Sequence, residues 1–140
     1  MKAAPPLELR ANLARNWSSV DGVPGPDNRL DEQLPFSGNL GVDWKGERAS
    51  AGANFGFRSG GRVAVTANET VWLHAQRDLE LYAAWQLDKT SQLRLSAANL
   101  LGMDMVNERS YLDTASGTLL RNRLAILGHP SLRLTLESRF

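Results

Sequence analysis

The sequence predicts an all-β fold, an antiparallel meander of about six strands, and three observations carry the prediction. Apolar and polar residues alternate with period two in run after run, and no stretch repeats at the helical period. The connections between runs alternate between short and long. No segment approaches the roughly 20 consecutive apolar residues that a membrane helix needs.

The runs follow in chain order. The first places Leu7, Leu9, Ala11 and Leu13 on one face and Glu8, Arg10 and Asn12 on the other. The second sets Leu40, Val42 and Trp44 against Asn39, Gly41 and Asp43. The third sets Ala51, Ala53, Phe55 and Phe57 against Gly52, Asn54, Gly56 and Arg58. In the fourth, Leu79, Leu81, Ala83, Trp85 and Leu87 oppose Glu80, Tyr82 and Gln86. The fifth has Leu93, Leu95 and Ala97 against Arg94 and Ser96. The last has Leu132, Leu134, Leu136 and Phe140 against Arg133, Thr135, Glu137 and Arg139. A slip of one residue would exchange the faces, so each pattern fixes the register of its strand.

Lys45-Gly46-Glu47-Arg48 and Asp88-Lys89-Thr90-Ser91 read as tight turns. The connections near Ser19–Leu34, Ser59–Gln76 and Gly102–Pro130 are long, and Thr118–Leu127 reads as a strand extension within the last of them. Short turns on one side and long loops on the other are the pattern of outer-membrane barrels. Six strands connected this way place both chain ends on the short-turn side. The sequence is therefore expected to form part of a transmembrane β-barrel.

Composition is consistent with that expectation and narrows the partners. Sixteen basic residues against fifteen acidic ones argue for no nucleic-acid partner. There is no cysteine, hence no disulfide framework and no thiolate metal site. Alternation keeps mean hydropathy modest even for a strand that crosses a membrane. Met1-Lys-Ala-Ala-Pro-Pro6 contains no apolar export core. Residues 1–140 are thus expected to be a portion of a longer exported chain.

The aromatic residues fall near the predicted strand ends. Trp44, Trp85 and Phe140 lie toward the short turns; Trp17, Phe36 and Phe57 lie toward the long loops. Two such rows match the interfacial girdles of a membrane barrel. Alternation alone does not separate inside from outside. A soluble lipocalin-like barrel that binds a small apolar ligand uses the same pattern with the apolar face inward. A small self-contained barrel with a structural or adhesive role is the other alternative, although six strands fall short of the smallest ordinary barrel, which has about eight.

Leu132-Arg-Leu-Thr-Leu-Glu-Ser-Arg-Phe140 resembles the β-signal of outer-membrane proteins, a final Phe preceded by apolar residues at alternate positions. Trp17-Ser-Ser-Val-Asp-Gly-Val-Pro-Gly-Pro-Asp-Asn-Arg-Leu30 resembles a strand-to-loop segment near the C-terminus of TonB-dependent receptors. Leu79-Glu-Leu-Tyr-Ala-Ala-Trp85 with Leu93-Arg-Leu-Ser-Ala-Ala-Asn-Leu-Leu101 resembles the hairpin before their last extracellular loop. The resemblance implies the C-terminal portion of such a receptor barrel, a plugged importer of scarce nutrients such as iron–siderophore complexes. It implies a location in the outer membrane of a Gram-negative bacterium. It implies partners in the outer-membrane lipid, the remaining strands and the plug. It implies that the barrel-assembly machinery reads Leu132, Leu134, Leu136 and Phe140, and that TonB acts only through an N-terminal part not contained in these residues.

No residue pattern predicts catalysis, a cofactor or a metal. His74 and His129 lie in connections without a second ligand at metal spacing. Ser18-Ser19 lacks a nucleophile elbow. Asp27, Arg29, Asp31 and Glu32 form a charged loop cluster whose spacing does not match an EF-hand. Gly60-Gly61 and Pro24-Gly25-Pro26 read as turn elements.

Overall fold

Alternation of this kind gives a sheet one apolar and one polar face, and the computed structural model contains such a sheet. It describes residues 7–31 and 33–138. The strands are β1 (Leu7–Arg15), β2 (Phe36–Lys45), β3 (Ala49–Arg58), β4 (Gly61–Ala64) and β5 (Glu69–Leu73). They continue with β6 (Gln76–Gln86), β7 (Ser91–Ala98), β8 (Met105–Asp113), β9 (Thr118–Ile126) and β10 (Ser131–Ser138). All pairings are antiparallel, and the described residues contain no helix.

The predicted meander is one six-stranded sheet, ordered β1-β2-β3-β6-β7-β10. Its strands are the six alternating runs. Both turns expected to be tight are tight and lie at one end of the sheet. Gly46 donates its N–H to the Ala49 carbonyl at 2.7 Å. In the other turn, Asp88 accepts the Thr90 N–H at 2.8 Å, the Thr90 hydroxyl at 2.9 Å and the Ser91 N–H at 2.8 Å. These donors, the Thr90 N–H first, hold the Asp88 carboxyl below its ordinary range. The three long connections leave from the opposite end.

Two of those connections fold into a second sheet, ordered β4-β5-β8-β9. The sequence predicts that parts of the long connections, such as Thr118–Leu127, extend the main strands; β9 instead closes a separate sheet on β8. The β8–β9 turn is built by local chemistry. Asp113 accepts the Ser116 hydroxyl at 2.6 Å and the Ala115 N–H at 3.0 Å. These bonds, the hydroxyl first, lower the Asp113 pKa. Gly117 follows at φ +71°, a conformation that costs other residues roughly 1–2 kcal/mol.

The β4–β5 part of one face of the second sheet packs on the Ser19–Leu34 segment. Val63, Val71 and Leu73 form its buried cluster, with Leu34 and Val65 against it. Arg109 ties the two together, with Nη1 2.7 Å from Glu69 Oε1 and Nη2 3.8 Å from Asp31 Oδ2. The charged loop cluster read from the sequence is thus partly a clamp on this sheet; Glu32 lies outside the described residues.

Candidate functional site

The main sheet presents two chemically opposite faces, and the pairing register assembles both. On the apolar face, Leu9, Val42, Ala53, Leu81, Ala97 and Leu132 face one another across the full width. The row toward the short turns is Leu7, Trp44, Ala51, Ala83, Leu95 and Leu134. Beyond it lie Ala49, Trp85, Leu93 and Leu136. Toward the long loops come Ala11, Leu40, Phe55 and Leu79, then Leu13, Gly38 and Phe57. These side chains are uncovered: Leu132 is 74% exposed and Leu81, in the middle row, 43%.

The height of the belt follows from strand geometry. β3 has ten residues. At about 3.3 Å per residue it is roughly 33 Å long; at the tilt of about 40° usual in barrels a strand of this length would rise roughly 25 Å.

The aromatic residues singled out in the sequence fall at the edges of the belt. Trp44 and Trp85 lie in the rows beside the short turns. Phe36 and Phe57 lie at the long-loop end with ring centroids 5.3 Å apart. Trp17 follows β1 at the same end, with the Arg15 guanidinium 5.8 Å from its ring. Of the expected assembly signal, Leu132, Leu134 and Leu136 lie on the apolar face of the edge strand β10; Phe140 lies outside the described residues.

The opposite face is polar, and Arg10, Asp43 and Tyr82 pair within it. Asp43 is only 6% exposed. It accepts hydrogen bonds from the Arg10 guanidinium and from the Tyr82 hydroxyl. The Arg94 guanidinium stands 5.2 Å from the Tyr82 ring centroid. Asp43 and Tyr82 both pair with Gly52, from opposite sides. A Cβ at Gly52 would collide with the Tyr82 ring and stand 2.6 Å from Asp43 Oδ1. Glycine there is what lets the two side chains meet over β3. Gly52→Ala is expected to lower stability by about 1–3 kcal/mol through overpacking. Gly41→Ala on the same face, where the nearest atom would be 3.6 Å from the new Cβ, should cost less. Urea unfolding of both variants in lipid or detergent checks the contrast.

Farther along this face a hollow of about 470 Å³ opens toward the long loops, lined by Asn39, Asn54, Arg58, Asp78, Asn99 and Asp104 among others. Asp78 Oδ1 is buried there without a hydrogen-bond partner among the described residues. His74 Nε2 stands 3.5 Å from Glu108 Oε1, and the His129 carbonyl accepts from Asn99 Nδ2 at 3.4 Å. No group of three or more potential metal ligands occurs among the described residues.

Sequence reading placed Arg10, Asp43, Tyr82 and Arg94 on the polar face but did not join them. Their contacts depend on a shift of one pair between neighbouring strands and on the missing side chain of Gly52, and neither is visible in a single run. Comparison of the chain with protein families, with curated proteins and with solved structures finds no match.

Proposed function

We propose that the chain is a wall segment of an outer-membrane β-barrel, the C-terminal portion of an importer of the TonB-dependent receptor type. The single observation that carries this reading is the uncovered apolar belt, continuous across six strands. The buried apolar side chains among the described residues are Val63, Val71, Leu73 and Ala84. The accessible surface is 10593 Å², against roughly 7200 Å² for a compact soluble protein of this mass. A lipocalin-like domain would cover its leucines; here they are exposed, as contact with lipid requires. The ions of the other face, the Arg10–Asp43 pair among them, suit a wet interior.

In this reading the short turns face the periplasm and the loop-borne sheet faces outside. The outer edges of β1 and β10 continue into further strands of the barrel around a plug. The assembly machinery reads Leu132, Leu134, Leu136 and Phe140, and TonB engages a part of the receptor outside these residues. The cargo is a scarce nutrient such as an iron–siderophore complex. The chain's own residues form wall and loops and carry no catalysis.

The absence of cysteine makes a direct test available. Single cysteines placed in turn from Leu79 to Trp85 carry an environment-sensitive dye in vesicles containing a quencher on the lipid tails. Quenching at positions 79, 81, 83 and 85, with none at 80, 82 and 84, is the expected result. Equal quenching at both sets would reject a lipid-facing strand.

A further inference from the structure

The second sheet has one face packed, in its β4–β5 part, on the Ser19–Leu34 segment and the other face open. The register places Arg62, Trp72, Glu108 and Arg123 in a single row across that open face, one from each strand. Thr70, Ser110 and Arg121 form the next row. Together they line a hollow of about 680 Å³. Trp72 is 49% exposed, although the strands on both sides of it could have supplied cover. Among the described residues no cation lies over its ring. Arg123 is held by Glu108 at 3.4 Å. Among the described residues Arg62 and Arg121 have no carboxylate partner, so the hollow has two guanidinium groups to offer.

We propose that this open face binds an acidic saccharide, with Trp72 as the platform for a pyranose ring and Arg62 and Arg121 as anchors for its acidic groups. An exposed indole is an apolar plane that matches the C–H face of a sugar ring. A guanidinium fork matches a carboxylate or sulfate through two parallel hydrogen bonds. Glu108, Thr70, Ser110 and Asn68 supply the acceptors and small donors that sugar hydroxyls need. Glu108 also argues against a bare polyanion: a carboxylate beside the platform repels dense negative charge but accepts hydroxyl protons. The membrane reading enters only in assigning this face to the outside; the chemistry of the hollow stands without it.

The test is a titration of the 140-residue chain, folded in detergent micelles, with a short galacturonic-acid oligomer. Tryptophan fluorescence and calorimetry are the readouts. The expected result is saturable binding, with a neutral galactose oligomer of equal length binding at least about tenfold more weakly, the loss expected when charge-assisted hydrogen bonds are removed. Trp72→Ala and Arg121→Ala should each weaken binding by about tenfold. Arg121→Ala, on the exposed outer strand, serves if the Trp72 variant unfolds. Leu120→Ala, on the opposite face of β9, should bind as the parent does. Equal affinity for the neutral oligomer overturns the proposal. So does equal affinity for polyphosphate that ignores Trp72, which would mark a plain basic patch. Vesicle insertion of the same samples is scored separately. Insertion without saccharide binding rejects the site and keeps the barrel; saccharide binding without insertion does the reverse.

Discussion

Leu81→Arg is expected to destabilise the lipid-folded chain by about 2–4 kcal/mol, the penalty for a cation on the lipid face near the bilayer midplane. Leu81 stands in the middle row of the belt, between Ala53 and Ala97. The alanines on both sides leave the new side chain open to hydrocarbon, with no carboxylate among the described residues of that face to pair with. Toward either girdle the same substitution should cost less, because an arginine there reaches headgroups or water. Glu80→Arg, one residue away on the polar face, should change stability far less. Equilibrium unfolding by guanidinium in vesicles measures both. Equal penalties on the two faces would point to a sheet covered on both sides.

Asp43→Ala is expected to cost about 2–3 kcal/mol. It removes a nearly buried carboxylate that accepts from both Arg10 and Tyr82. Hydrogen bonds to a charged group contribute roughly 1.5–3 kcal/mol each. The Arg10 contribution is discounted, because its side chain is 64% exposed and water replaces part of what is lost. Tyr82→Phe, which leaves the Asp43–Arg10 pair intact, should cost somewhat less, about 1.5–2 kcal/mol. The double variant should fall short of the sum, since the residues share one network.

What could be read from the sequence, and what could not, follows from where water lies. In β2, Leu40-Gly-Val-Asp-Trp44 alternates cleanly because one face of the sheet is apolar and the other polar along its length. The six strands of the main sheet, their short turns and their common end were legible for that reason. The loop-borne strands carry no such signal. β4 has four residues after Gly60, which reads as a turn. Met105-Val-Asn-Glu-Arg-Ser-Tyr-Leu-Asp113 of β8 has no clean period, because one face meets a loop and the other an open hollow. Trp72 went unnoticed as a site residue for the same cause; the β-favouring run Glu69-Thr-Val-Trp-Leu73 was the available signal. The Asp43 network was legible in composition and not in contact, since register and Gly52 bring it together.

The central claim is that the apolar belt faces lipid and that the outer edges of β1 and β10 await partners. Hydrocarbon cannot satisfy unpaired backbone groups, at several kcal/mol each, and water leaves the belt bare and the edges open to association. Light scattering on the purified 140-residue chain, with and without detergent, tests this most directly. The account predicts aggregates or self-paired oligomers in plain buffer, and β-structured particles only in detergent or lipid. A monodisperse monomer that unfolds cooperatively in plain buffer would contradict it.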